Sequence, residues 1–412
     1  MKIADIFELV LGDDVDVEVV AYDGSKTGRM GSDVRLEIRS PQAMAAIITS
    51  PDQLGVARAF VNGDIEVEGD IFTGMERLGG AQFRSVSLAD KARVAKEFAP
   101  LLLKRPPIPP EEVRLSGRRH GKSRDAEAIS HHYDVSNDFY RLVLGPSMAY
   151  TCAVYPNADA TLEQAQEEKF DLVCRKLDLQ PGMRLLDVGC GWGGMVRHAT
   201  EHYGVKAIGV TLSEQQAQWG QRVLEEQGLA GQSEVRFGDY RDIPEAGFDR
   251  VSSIGLTEHI GKKNYPSYFG FLRSKLREEG RLLNHSITRS DTGDRTLTRR
   301  GFINRYIFPD GELTHVGVLV DQMERAQLEV QHEENLRAHY AMTLRDWGQN
   351  LTDNWDEAVA EVGLRKARVW RLYLAASRWG FAVNRIQLHQ VLSTRTSADG
   401  DSGMPLRPTW GS

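Results

Sequence analysis

Leu185-Leu186-Asp187-Val188-Gly189-Cys190-Gly191-Trp192-Gly193-Gly194 reads as a short buried strand, a glycine-rich turn and the start of a helix. Glycine serves where a backbone must come close to a ligand or take positive φ. Gly189, Gly191 and Gly194 satisfy the G-x-G-x-x-G spacing of a nucleotide-binding turn. That spacing alone does not choose the nucleotide. A dinucleotide site carries an acid about 20 positions further on, at the end of the second strand, to hold a ribose hydroxyl. Here the second strand ends Ile208-Gly209-Val210-Thr211-Leu212, with no carboxylate. The acid stands instead inside the first strand, at Asp187.

Working outward, residues from about 126 alternate helices and strands, the pattern of a parallel, doubly wound sheet. Leu162 to Leu177 is predicted as a helix and Arg184 to Val188 as a strand. Lys206 to Val210, Phe248 to Ser253 and Gly280 to Ile287 are further strands, and Ser213 to Gln227 a further helix. Residues 1–85 read as a smaller α/β domain: Val34, Leu36 and Ile38 alternate with Arg35 and Glu37, Pro41 opens a helix over Gln42 to Thr49, and Asp64 to Ile71 is extended but broken by Gly69. Residues 86–125 form a basic, proline-containing linker in which the helical pattern of Leu88 to Leu103 stops at Pro106, Pro107, Pro109 and Pro110. The fold class is therefore α/β, a Rossmann-like doubly wound sheet over 126–395 with the small N-terminal domain before it. Residues 396–412, rich in Ser, Gly, Asp and Pro, are expected to be a disordered tail.

Composition narrows the function. The chain has 412 residues, 41% of them hydrophobic, enough for one large core or two smaller ones. A formal net charge of −7 argues against a bulk nucleic-acid binder. The charge is uneven, however: Lys104, Arg105, Arg114, Arg118, Arg119, Lys122 and Arg124 cluster in the linker against Glu111 and Glu112. Such a segment either sits on anionic phosphate or is a solvated connector. No run approaches the roughly 20 apolar residues of a membrane span, and Met1 to Leu11, carrying Lys2, Asp5 and Glu8, lacks the form of a secretory signal. Three cysteines, Cys152, Cys174 and Cys190, have no metal-ligand spacing and fit a reducing cytoplasm.

An acid just ahead of a Gly-x-Gly-x-Gly turn resembles the class I S-adenosylmethionine-dependent methyltransferases, where that run binds the amino-acid end of the cofactor. Further motifs follow in order: Tyr133-Asp134-Val135-Ser136-Asn137-Asp138-Phe139-Tyr140, Tyr150-Thr151-Cys152-Ala153, Leu162-Glu163-Gln164-Ala165-Gln166, Thr211-Leu212-Ser213-x-x-Gln216, Gly255-Leu256-Thr257-Glu258-His259-Ile260-Gly261, His285-Ser286-Ile287-Thr288 and His339-Tyr340-x-x-Thr343-Leu344-x-x-Trp347. Together they resemble the cyclopropane-fatty-acid synthase family, which includes the mycolic acid cyclopropane synthases, over about 126–395. Leu54-Gly55-x-x-x-Ala59-Phe60-x-x-Gly63 also resembles the N-terminal domain of the phospholipid-acting members.

The resemblance implies transfer of a one-carbon unit from S-adenosylmethionine to the double bond of an unsaturated acyl chain in a membrane phospholipid. It places Tyr133, Thr151 and Asp187 at the methionine end of the cofactor, with Gly189 and Gly191 beneath it. Thr211, Leu212 and Gln216 belong to the ribose-binding stretch, and Asp239 and Tyr240 to the adenine-contacting one. It implies a second ligand, bicarbonate, at Cys152, Glu258, His285, Ile287 and Tyr340. Thr151 stands where Ser is common in the family, and Asn284 where Leu or Met is. The enzyme so implied is cytoplasmic and peripheral to the membrane, does not bind nucleic acid, and leaves a homodimer open.

The chemistry asks for such groups. An alkene is a weak nucleophile, so the electrophilic methyl must be held in line with it. Transfer leaves a carbocation, which water would trap, so the site must be dry. Aromatic faces stabilise a cation by roughly 1 to 2 kcal/mol each when desolvated; Tyr150, Phe302, Tyr306 and Tyr340 are the candidates. A weak base then suffices, either bicarbonate or Glu258 itself. Loss of a proton from the transferred methyl closes a cyclopropane; loss from the neighbouring carbon gives an exo-methylene branch, which a separate reductase would convert to a methyl branch.

Blander readings compete. Glu258 at a strand end suits a helix cap, His285 in an apolar strand suits a hydrogen-bonded core residue, and Cys152 and Cys190 suit packing. The apolar and aromatic residues of Val369 to Phe381 suit a helix core as well as an acyl tunnel. Two other functions also remain: a methyltransferase on a non-lipid small molecule or nucleic acid, and a lipid-binding protein on a dead methyltransferase scaffold. The first lacks an Asn/Asp-Pro-Pro-aromatic run in Ser253 to Ile260, and the second must explain intact Asp187, Gly191, Glu258 and His285.

Overall fold

The computed structural model describes residues 2–11, 15–50, 53–80, 96, 107–113, 135–291 and 301–410. The predicted helix at Leu88 to Leu103, most of the basic linker and Tyr133 therefore lie outside the described residues, as does the stretch 126–134. Two compact units are present: residues 1–114, 298–309 and 355–379 make one, and 115–297, 310–354 and 380–412 the other.

The first unit is built on a four-stranded sheet of β1 (Glu18–Ala21), β2 (Lys26–Gly28), β3 (Arg35–Ile38) and β4 (Ile65–Glu68), in the order β2-β1-β3-β4. The alternation over Val34 to Ile38 does form a strand, with Leu36 and Ile38 buried. Pro41 opens the helix Pro41–Thr49. The extended stretch after Asp64 ends at the expected break, where Gly69 turns the chain at φ +88° and the helix Ile71–Gly80 begins soon after. A Cβ at Gly69 would lie 2.2 Å from the Asp33 carbonyl oxygen, so only glycine fits that turn. Two stretches expected within 126–395 belong here instead. Arg368, buried, donates from Nε to the Phe60 carbonyl at 2.7 Å, from a terminal nitrogen to the Ile65 carbonyl at 2.7 Å, and from the other to Glu66 Oε2 at 2.6 Å. No local sequence signal reveals a contact across some 300 residues. Val369 to Phe381 falls on the helix Leu364–Ala382.

The second unit carries the doubly wound sheet. Its strands are β5 (Arg184–Val188), β6 (Lys206–Thr211), β7 (Glu234–Phe237), β8 (Phe248–Ile254), β9 (Leu276–Arg289), β10 (Glu329–Asn335) and β11 (Ile386–Arg395). Their order is β10-β11-β9-β8-β5-β6-β7. β7, β6, β5, β8 and β9 are parallel, and β11 is antiparallel to both its neighbours. Side chains alternate across the sheet. Leu185 and Leu283 enter one core with Phe170, Val173 and Met195; Leu186, Val188 and Leu282 enter the other with Tyr268, Phe269 and Leu319. The helix Leu162–Leu177 begins where predicted, closed by a capping box between Thr161 and Gln164.

The chain winds outward from β5 through β6 to β7, then returns past β5 to β8. This reversal opens a crevice beyond the carboxyl ends of β5 and β8, the place where doubly wound sheets bind ligands.

The C-terminal stretch is irregular but held, which corrects the expectation of a disordered tail. Arg281 donates to the Gly403 carbonyl at 3.1 Å and Arg175 to the Trp410 carbonyl at 3.2 Å. Met404 and Trp410 pack against the core, and Trp410 stacks edge-on to His332 with ring centroids 5.4 Å apart. The polar composition of 396–412 hid the effect of two large apolar side chains that bury surface.

Candidate active site

The glycine turn sits at the mouth of the crevice. Gly189 and Cys190 donate their backbone N–H groups to the Val210 carbonyl at 3.0 and 2.9 Å, bracing the turn on β6. Gly189, Gly191 and Gly193 have φ of +79°, +55° and +78°, a region that disfavours other side chains. An added Cβ at Gly191 would meet no atom within 4 Å, so the turn faces open space there. Gly209 has the opposite constraint. A Cβ there would come within 2.9 Å of Cys190 Sγ, so Cys190 fills the space that glycine leaves.

Asp187 is buried in β5 opposite Ser252 of β8, whose hydroxyl donates to its Oδ1 at 2.7 Å. Burial pushes its carboxyl up to about 6, opposed by the Ser252 hydrogen bond and by the positive charge of Lys169. Lys169 escaped the sequence reading. It is 1% exposed and donates from Nζ to Thr151 Oγ1 at 3.0 Å, and burial brings it down to about 7. It thus ties Thr151 to the neighbourhood of Asp187. At the end of β6, Thr211 donates from its hydroxyl to Gln216 Oε1 at 2.8 Å. The Gln216 amide nitrogen is thereby left buried and without a partner among the described residues. A buried donor left unpaired calls for an acceptor, and a ribose hydroxyl is one. Leu212 is half-buried beside it. Asp239 and Tyr240 follow β7. Asp239 caps the short turn Tyr240–Asp242 and takes two hydrogen bonds from the Arg241 guanidinium, while Tyr240 stands edge-on to Tyr268 and Phe271. These residues fit an adenosyl cofactor, and Asp187 and Gln216 are the groups that would hold its charged end and its ribose.

A second cluster forms where β8 stops. Its last residue, Ile254, lies opposite His285 of β9, and Gly255 N–H donates to the His285 carbonyl at 2.8 Å. Two residues further along β9, the Ile287 N–H therefore has no strand partner on that side. Glu258, on the short helix Thr257–Ile260, supplies one: its Oε1 accepts from Ile287 N–H at 3.2 Å. Glu258 Oε2 and His285 Nε2 are both buried and without partners among the described residues. Burial pushes the Glu258 carboxyl up to about 7 and holds the His285 imidazole well below its ordinary range, aided by the charges of Lys169 and Lys176.

Cys152 is fully buried, and its Sγ reaches the Ala153 and Leu336 carbonyls at 3.2 and 3.8 Å. Burial raises the thiol far above its usual range, so it stays a thiol and not a nucleophile. Ala153 N–H donates to Thr343 Oγ1 at 3.0 Å and Tyr155 N–H to His339 Nδ1 at 3.0 Å, which locks this loop to the helix Arg337–Asp353 that carries Tyr340.

Aromatic rings run between the two clusters. Trp192 of the glycine turn lies 4.7 Å from Tyr140, Tyr140 5.7 Å from Tyr150, Tyr150 5.4 Å from Trp347, and Trp347 6.1 Å from Tyr340, centroid to centroid. Tyr150 and Tyr340 are thus brought into one chain of rings. Phe302 and Tyr306, the other expected aromatic faces, belong to the first unit and pair with each other at 5.2 Å.

A parallel sheet with this strand order, a glycine turn at its switch point and an acid in the preceding strand is the architecture of S-adenosylmethionine-dependent methyltransferases of class I. Within that class, the chain belongs to the mycolic acid cyclopropane synthetase family, whose model matches residues 120–391. It is 53% identical over 405 residues to a probable fatty acid methyltransferase of Mycobacterium tuberculosis, covering 96% of this chain and 94% of that one. It is 35% identical over 294 residues to the cyclopropane-fatty-acyl-phospholipid synthase of Escherichia coli, covering 70% of this chain and 74% of the other. The crystal structure of mycolic acid cyclopropane synthase CmaA1 complexed with SAH and CTAB superposes with a TM-score of 0.61 at 33% identity, over 65% of this chain and 97% of that one.

Proposed function

We propose that the protein transfers a one-carbon unit from S-adenosylmethionine to the double bond of an unsaturated phospholipid acyl chain, and that bound bicarbonate removes a proton to close a cyclopropane ring. The observation that carries this reading is the pair of orphaned buried atoms, Glu258 Oε2 and His285 Nε2. One is an acceptor when ionised and the other a donor in the neutral ring protonated at Nε2. A small anion with a hydroxyl proton satisfies both, giving its proton to Glu258 and accepting from His285. Bicarbonate has that form, and Glu258, His285, Tyr340 and the backbone at Cys152 and Ile287 would hold it.

The cofactor supplies an electrophilic methyl on a sulfonium. The residues do the rest. Asp187 and Gln216 orient the cofactor, with the open glycine turn beneath. Tyr150 and Tyr340 offer ring faces to the developing cation. Burial of Cys152, Glu258 and His285 keeps water from it. A second outcome is an exo-methylene branch; the Mycobacterium tuberculosis relative bears the name probable fatty acid methyltransferase, which specifies no ring. Vesicles of an unsaturated phospholipid, incubated with protein and S-adenosylmethionine, separate the readings. A mass gain of one methylene unit with proton signals upfield of ordinary methylenes supports the ring. Vinylidene proton signals in their place support the branch, and no mass gain removes the lipid reading.

Access to such chains calls for membrane attachment. No helix among the described residues is long and apolar enough to cross a bilayer. The basic run Lys104 to Arg124, of which only residues 107–113 are described, is proposed as a reversible anchor. Each basic residue near an anionic surface contributes about 1 kcal/mol, while the net charge of −7 opposes it. Sedimentation with anionic vesicles is expected to fall several-fold as salt rises through the screening range. Equal binding to neutral vesicles removes the basic run from the account.

A further inference from the structure

Three strands place a row of polar side chains across the sheet behind the second cluster. Glu334 of β10 lies opposite Gln390 of β11, and Gln390 lies opposite His285 of β9. Lys176, near the end of the helix Leu162–Leu177 and 0% exposed, reaches down onto this row. Its Nζ donates to Gln390 Oε1 at 2.7 Å and to Glu334 Oε2 at 2.5 Å. Gln390 Nε2 is 3.2 Å from His285 Nδ1.

The orientation of a glutamine amide is usually ambiguous. Here chemistry decides it. An ammonium has only protons to give, so the atom of Gln390 facing Lys176 must be the oxygen. The atom facing His285 is then the NH2 group, which can only donate. Nδ1 must therefore accept, and the ring proton must sit on Nε2, the atom left without a partner in the buried site.

We propose that Lys176 and Gln390 are positioning residues that set the tautomer of His285, so that it presents an Nε2–H donor to the ligand beside Glu258. This rests on the reading above only in its last clause; the tautomer itself is a property of the protein alone. His285 is then excluded as the base that removes the substrate proton, because Nε2 has no free lone pair and Nδ1 is engaged away from the site. Its role is to hold an anion. Burial and the neighbouring charges of Lys169 and Lys176 agree with a ring that stays neutral.

The experiment is two-bond proton–nitrogen correlation on protein carrying 15N-histidine, with His285 assigned by its loss in His285→Asn. The expected spectrum shows a pyridine-type Nδ1 and a protonated Nε2. A protonated Nδ1 in the wild-type protein overturns the proposal. Gln390→Glu replaces the donor with an acceptor of equal size and is expected to move the proton to Nδ1. It should lower kcat about 10- to 100-fold, the scale on which such orienting partners act, with unchanged affinity for S-adenosylhomocysteine. Lys176→Met frees the amide to turn and should give mixed tautomers, while Lys176→Arg should restore the single form. An unmoved proton in Gln390→Glu overturns the proposal. A moved proton with unchanged turnover upholds the tautomer relay and instead sinks the assignment of His285 to the reaction.

Discussion

Glu258→Gln is expected to lower turnover on an unsaturated phospholipid by at least about 100-fold, the scale of a lost acid–base partner, while leaving the affinity for S-adenosylhomocysteine within a factor of two or so. Glutamine keeps the side-chain oxygen that accepts from Ile287 N–H, so the loop should stay in place. It cannot accept a proton, and its amide turns a donor toward the hydroxyl proton that the ionised carboxylate would accept. His285→Ala should behave in the same way, since neither side chain belongs to the cofactor set. Carbon dioxide depletion divides the two versions of the base. If bicarbonate takes the proton, a depleted buffer slows the wild-type enzyme and added bicarbonate restores it. If Glu258 does so, depletion has no effect. The pH dependence follows from burial, which pushes this carboxyl up to about 7. In either version the ionised form is needed, so activity is present above that value and lost as pH falls through it. Near-full turnover in Glu258→Gln removes both versions.

Gly191→Val is expected to abolish cofactor binding in calorimetry. At φ +55° the backbone already disfavours a β-branched residue, and the added side chain would project into the open space where the turn faces its ligand. The left-handed conformation costs about 1 to 2 kcal/mol by itself, so circular dichroism and a thermal melt must show that the variant is folded. Folded protein that binds S-adenosylhomocysteine within tenfold of the wild type would place the ligand elsewhere. Wild-type protein that binds NAD more tightly than S-adenosylhomocysteine would overturn the choice of nucleotide made from Asp187 and the acid-free end of β6.

The parallel core was legible because its signals are local. Leu185 to Val188 is short and apolar, Thr161 and Gln164 form a capping box, and glycines mark the turn that follows. Each records a backbone preference over a few residues. Lys169 and Lys176 left a fainter trace. They stand seven and fourteen residues after Leu162, on the apolar stripe of the same helix rather than its wet face, and that spacing could have marked them as buried. The tail misled because its polar residues outnumber the two, Met404 and Trp410, that decide its fate.

From sequence alone came the residue types of the site: an acid before a glycine turn, a glutamine after the second strand, a glutamate at a strand end and a histidine inside a strand. The acid and the glycine turn follow from the local strand–turn–helix pattern, whereas the glutamine, glutamate and histidine are what the family resemblance implied. Only the tertiary structure decided which atoms of those residues are spent and which are left to bind. Glu258 loses one oxygen to Ile287 because β8 ends two residues short of it, and His285 has Nδ1 claimed by Gln390 because β11 pairs with β9 at that register. Burial then makes each remaining atom costly to leave unpaired. The partners come from segments 29 residues apart for Glu258 and Ile287 and 105 apart for His285 and Gln390, and no local pattern encodes either distance.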